Sequence, residues 1–247
     1  MPESKKTWEG IFLVDHVSSD DPRLEVKDIT YPGKTGDIEA HLARPKGNEK
    51  HSGVVVIHEN RGLNPHTRDV TRRVALEGFI AAAPNALSPV GGTPDDVDEA
   101  RDLMYGLDEK ETIGNFVAAV KYLQTHPQST GKVGVTGFCW GGGMTNQVAV
   151  NSDANAAVPF YGRQPAAEEV PKTKASVLAH YAEDDERINA GIQDFKEALK
   201  KAGIKFEFHI YPGTRHAFFN DTGTRYNEAA SEQAWQRTIE FFKKELR

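Results

Sequence analysis

Apolar positions along the chain fall into short runs separated by longer stretches of helical period. Val54-Val55-Val56-Ile57 is continuously apolar, as expected of a strand buried on both faces. Asn64 to Gly78 follows as a predicted helix, and Phe79 to Ala83 as the next strand, ended by Pro84. Ahead of these, Ile29 to Tyr31 and Ile38 to Arg44 flank the turn Pro32-Gly33-Lys34-Thr35-Gly36 and predict an antiparallel pair. Asn85 to Pro94 is a loop rich in Pro and Gly. Pro94 to Tyr105 and Glu109 to Thr125 have helical spacing. Strands are predicted at Val133–Thr136, Ala156–Tyr161, Ser176–Tyr181 and Phe206–Tyr211. Ile188 to Ala202 is a helix stopped by Gly203, and Asn227 to Lys244 a closing amphipathic helix. Strands alternating with helices predict an α/β domain with a doubly wound sheet whose ligands bind at the carboxyl ends of the strands. That domain is expected over 29–247, with residues 1–28 as a less regular extension packed on it.

Composition narrows the classes. A chain of 247 residues with 38% hydrophobic content can bury one substantial core. The net charge is −6, with Lys and Arg scattered along the chain, so nucleic acid is not expected as a partner. No stretch is long and apolar enough to span a bilayer, so no membrane partner is expected. The N-terminus lacks the apolar core of a signal peptide. A single cysteine excludes an internal disulfide framework and suits a reducing, cytoplasmic location. A monomer or small homo-oligomer is expected.

That cysteine carries the strongest local signal. Gly137-Phe138-Cys139-Trp140-Gly141 has the pattern G-x-C-x-G, placed between the apolar run Lys132–Thr136 and the small-residue stretch Gly141-Gly142-Gly143. It reads as a nucleophile elbow with sulfur in place of the usual serine oxygen. A side chain presented at a tight strand-to-helix turn needs small neighbours, and amides at a helix N-terminus favour a thiolate. The competing reading is a buried structural cysteine. The flanking glycines at fixed offsets, the preceding strand and the following glycine run outweigh it.

A cysteine nucleophile needs a base and an orienting acid. Ala182-Glu183-Asp184-Asp185-Glu186-Arg187-Ile188 follows one strand, and Pro212-Gly213-Thr214-Arg215-His216-Ala217-Phe218 the next. The order Cys139, acid, His216 is that of an α/β-hydrolase. Position alone leaves four candidate acids, three of which are expected to be a solvated turn. His58-Glu59 does not begin a zinc motif, because H-E-x-x-H requires histidine where Gly62 stands. No metal and no other cofactor is expected.

Three segments give the chain a resemblance to the dienelactone hydrolase (carboxymethylenebutenolidase) family: Val54–Asn64, Gly137–Gly143 and Tyr211–Phe218. The resemblance runs from about Ile29 to the C-terminus. It implies the α/β-hydrolase fold, a mostly parallel sheet with helices on both faces. It also implies hydrolysis of a small carboxylic ester or lactone through a thioester acyl-enzyme. It assigns Asp185 as the acid and Glu59 as a modulator of cysteine ionisation. The backbone amides of Asn60 and Trp140 are then the expected oxyanion hole. The chain departs from the family pattern at Asn220, where the family has an arginine for the substrate carboxylate. Arg61 and Arg163 are candidate replacements in substrate binding. Two alternatives from other classes are a thiol-redox sensor, which lacks a second cysteine, and a non-catalytic binding protein on a hydrolase fold.

Overall fold

The structure is a computed structural model and describes residues 16–247. Strands β1 (Leu24–Gly33), β2 (Gly36–Pro45), β3 (His51–Ile57), β4 (Ile80–Pro84), β5 (Ser129–Phe138), β6 (Ala156–Phe160), β7 (Ser176–Asp184) and β8 (Phe206–Arg215) form one sheet in the order β1-β2-β4-β3-β5-β6-β7-β8. β2 runs antiparallel to β1 and β4, and every other pairing is parallel.

The helices are α1 (Pro65–Leu76), α2 (Val97–Tyr105), α3 (Glu109–Thr125), α4 (Trp140–Asn151), α5 (Glu186–Asn189), α6 (Ile192–Lys201) and α7 (Glu228–Glu245). Strand alternation sorts the core onto two faces. Val54 and Val56 join Val70 and Val74 of α1 and Ala234 and Phe242 of α7. Val55 and Ile57 join Met104 of α2, Phe116 and Val120 of α3 and Val148 of α4. Helices on both faces explain why β3 is apolar from Val54 to Ile57, all fully buried.

Several boundaries differ from the sequence reading. β1 begins at Leu24, so Leu24–Asp28, expected in the extension, pair with Pro45 to His41 of β2. This is an edge strand with much of its length exposed, so its pattern is weak. Val17 is buried against α1, its amide donating to Asp69 Oδ1 (2.9 Å) and its carbonyl accepting from Arg72 Nε (2.5 Å). The extension's residues 1–15 lie outside the described residues. The first cap of α2 is Asp96, whose side chain accepts from the Asp98 and Glu99 amides, so residues 94–96 are not helical. The helix expected over 188–202 is two helices, because Gln164 Nε2 donates to the Ile188 carbonyl (3.1 Å) at the break.

Candidate active site

The chain leaves β3 to form β4 on one side and β5 to β8 on the other, so the carboxyl ends of β3 and β5 flank the sheet's switch point. Register brings the strand ends level: Ile57 pairs with Gly137, Phe138 with Phe160, and Phe160 with His180. Cys139, Tyr161, Asp185 and His216 directly follow the ends of β5, β6, β7 and β8, and Glu59 lies two residues past the end of β3.

Cys139 sits between β5 and α4 with φ 56° and ψ −114°, outside the regions open to ordinary L-residues. The turn is possible because Gly137, Gly141 and Gly142, two or three residues away, have no side chains. A Cβ on Gly137 would lie 2.4 Å from the Gly141 carbonyl oxygen, one on Gly141 2.3 Å from that of His58, and one on Gly142 2.3 Å from that of Phe160. The Trp140 amide opens α4, one of the first four helix amides that have no intrahelical acceptor.

Asp185 separates from its acidic neighbours. Its side chain is 8% exposed, and its Oδ2 lies 2.5 Å from His216 Nδ1. Asp184 is 70% exposed and pairs with Arg215, Glu183 accepts from the Gly213 amide, and Glu186 points to solvent. Burial works against protonation of His216. Hydrogen bonds to Asp185 and then Cys139, reinforced by their charges, outweigh it and raise the imidazole from 6.5 to about 9. His216 therefore carries its proton at neutral pH, with one N–H on Asp185 and the other toward the sulfur.

His58 is fully buried and fixes the turn that bears Glu59 and Asn60. Its Nδ1 donates to the Glu59 carbonyl (2.6 Å), and its Nε2 accepts from the Ala86 amide (3.1 Å). Burial lowers its pKa to about 4, against the pull of the Glu59 carbonyl, so the ring is neutral. Trp140 stacks on it with ring centroids 5.6 Å apart. The Glu59 carboxylate accepts from Asn220 Nδ2 at Oε2 (2.8 Å), while its buried Oε1 has no partner. The Asn220 amide orientation follows from Thr222, whose amide and hydroxyl both donate to Oδ1.

A cleft of about 610 Å³ is lined by Cys139, Trp140, His216, Asn60 and Tyr161, while His58, Glu59, Asp185 and Asn220 lie behind its lining. Arg163 lines it and Arg61 does not. Arg61 is half-buried and reaches Asn60 Oδ1 at 3.5 Å. Arg187, Tyr105 and Tyr161 line the cleft without having been singled out in the sequence. Tyr105 is 69% exposed, and its hydroxyl accepts from Asn60 Nδ2 (3.2 Å) across the mouth. Arg187 lies two residues beyond Asp185, and Tyr161 ends a recognised strand. Position next to a recognised element was the available signal for both.

A mostly parallel sheet with a strained strand-to-helix turn at Cys139 after β5 and an acid–histidine pair after β7 and β8 is the arrangement of an α/β-hydrolase. The model of the dienelactone hydrolase family matches residues 38–246, and the chain belongs to that family of hydrolases. A Saccharolobus solfataricus protein named for carboxymethylenebutenolidase activity is 34% identical over 256 residues, covering 88% of this chain and 98% of that protein. A Synechocystis protein of the same name is 32% identical over 237 residues, covering 89% and 96%. A structure from Klebsiella pneumoniae named as a dienelactone hydrolase superposes with a TM-score of 0.81 at 25% identity, covering 89% of this chain and 98% of that one. No described helix is long and apolar enough to cross a membrane.

Proposed function

We propose that the protein hydrolyses small carboxylic esters or lactones with Cys139 as nucleophile, His216 as acid–base and Asp185 as the group that orients His216. The observation that carries this reading is a strained cysteine sharing a cleft with an imidazole whose Nδ1 lies 2.5 Å from a buried carboxylate. The thiolate attacks the substrate carbonyl carbon, and the negative charge moves onto the carbonyl oxygen. The amides of Asn60 and Trp140 receive that oxyanion, with His58 holding the Asn60 turn in place.

Collapse of the tetrahedral intermediate breaks the C–O bond. The departing oxygen takes the His216 proton, leaving a thioester on Cys139. Water then attacks the thioester carbonyl, His216 accepts a proton from it, and the carboxylic acid leaves as the thiolate–imidazolium pair reforms. Sulfur is a better leaving group than an alkoxide, so the first intermediate tends to revert. Substrates whose oxygen leaves readily, such as enol-lactones and aryl esters, suit this site. The relatives' names and the open, mixed polar and apolar cleft agree with that class. The chemistry needs no cofactor, and a thiol nucleophile fits a reducing cytoplasm.

The test is alkylation. One equivalent of iodoacetamide should react at Cys139 and abolish aryl-ester hydrolysis, and Cys139→Ala should be inactive with its thermal transition retained. Full activity in the alkylated protein would end the cysteine-hydrolase reading.

A further inference from the structure

Trp140, Gly143, Met144 and Gln147 recur at helical spacing and lay one stripe of α4 along the cleft, starting at the Cys139 turn. The stripe separates two unlike walls. Met144 packs in one cluster with Met104 of α2, and Leu107 packs against that cluster. Tyr105 adds a ring that is 69% exposed, its hydroxyl held by Asn60 Nδ2 (3.2 Å). On the other flank, a Cβ on Gly143 would lie 3.6 Å from that of Arg163, and the Arg163 carbonyl accepts from Asn146 Nδ2 (2.9 Å). Gln164 Nε2 donates to the Ile188 carbonyl (3.1 Å), which ties this loop to α5 and its Arg187.

Arg163 and Arg187 both line the cleft, both are exposed, and neither guanidinium has an ion pair or hydrogen bond among the described residues. Arg44, Arg68, Arg73, Arg101 and Arg215 each hold a carboxylate, as expected in a chain of net charge −6. Glu169 lines the Arg163 side but is occupied by Lys172 (3.5 Å). Glu109, in the first turn of α3, lies on the Leu107 side and disfavours an anion there. The position that the resemblance gives to a carboxylate-holding arginine is Asn220, which lies behind the lining with its amide on Glu59. At about 610 Å³ the cleft falls in the range of roughly 300–1,000 Å³ that encloses a drug-sized ligand, so groups on both sides of a scissile carbonyl have room.

We propose that the protein selects esters with an apolar group on one side of the scissile carbonyl and an anionic group on the other. The apolar group lies against Met104, Tyr105, Leu107 and Met144, and the anion lies between Arg163 and Arg187. Aryl half-esters of dicarboxylic acids and acyloxybenzoates have this form in its two orientations. The two walls align the carbonyl along the α4 stripe, over Cys139. The guanidiniums stand on the loops after β6 and β7, apart from the His216–Asp185 pair, so they act on substrate binding and not on the chemical step. The inference rests on the ester-hydrolase reading of this cleft.

Two matched pairs test it: mono-4-nitrophenyl glutarate against its methyl ester, and 3-butanoyloxybenzoate against its methyl ester. In at least one pair the carboxylate form should have a kcat/KM about tenfold above the neutral form, a preference that weakens as salt is raised. Arg163→Ala combined with Arg187→Ala should abolish the preference through KM, with kcat and the neutral esters within about twofold. The thermal midpoint should hold, because no internal ion pair is lost. Arg163→Lys combined with Arg187→Lys should restore part of the preference. Leu107→Ser should lower kcat/KM about fivefold for charged and neutral members of the preferred pair alike, leaving the charge preference intact. Cys139→Ala titrated calorimetrically with the same four esters reads binding without turnover, and the carboxylate form should bind about tenfold tighter there too. No carboxylate preference in either pair, or one that survives the double alanine variant, would overturn the inference. Failure to hydrolyse any of the four esters would instead sink the hydrolase reading, and the titration still judges the two walls.

Discussion

Asp185→Asn tests the centre of the arrangement because its effect on His216 has a size. The rise of His216 from 6.5 to about 9 is worth at most about 3.4 kcal/mol, at about 1.36 kcal/mol per pH unit. Asp185 supplies the first of the hydrogen bonds that produce it, at 2.5 Å, and Cys139 supplies the rest against the cost of burial. Asparagine has the same shape but no charge, and it can turn its own N–H toward Nδ1 and invert the tautomer. Burial then dominates, and the imidazole should titrate well below 9.

Activity should fall by roughly 10²–10⁴-fold in kcat/KM on an aryl ester. The direct readout is a proton NMR titration of the His216 ring, assigned by its loss in His216→Gln. A pKa raised above its unfolded value contributes stability that is fully present below 6.5 and lost as pH rises through about 9. Wild-type stability should therefore decline over that window through this group, and Asp185→Asn should flatten the decline. Asp184→Asn is the control, since its exposed carboxylate touches only exposed Arg215, and activity should stay within about twofold. A His216 midpoint still near 9 in Asp185→Asn, or equal losses in the two variants, would refute the reasoning.

Two other outcomes can be measured independently. A Cβ on Gly142 would lie 2.3 Å from the Phe160 carbonyl oxygen, backbone that cannot yield cheaply, so Gly142→Ala should destabilise by about 1–3 kcal/mol. The thermal midpoint should drop by several degrees, and an unchanged midpoint would mean that α4 does not pack so closely on β6. For substrate charge, a matched lactone pair with and without a free carboxylate should be compared in wild type, Arg163→Ala and Arg61→Ala. Of these two, Arg163 lines the cleft and Arg61 does not, so removing Arg163 should cost the carboxylate-bearing lactone about tenfold and the neutral one little. A loss in Arg61→Ala alone would put the cation on the other wall.

The sequence alone determined what is encoded locally. Continuous apolar runs marked β3 and β4 because a strand covered on both faces leaves no polar position, and Gly137 and Gly141 marked the elbow because no Cβ fits there. Chain order likewise put an acid and His216 after the right strands. What it left open were choices among locally equivalent residues. Glu183, Asp184, Asp185 and Glu186 have the same chemistry, and only the turn between β7 and α5 points Asp185 inward at His216 while the others remain in water. Arg61 and Arg163 were equal candidates until the cleft admitted one of them. The edge strand β1 was cut short because half-exposed positions lose the alternation that a core imposes. Glu59 and Asn220 are distant in sequence and meet because β3, β5, β6, β7 and β8 lie side by side. That adjacency is a property of strand pairing and burial, which no window of sequence contains.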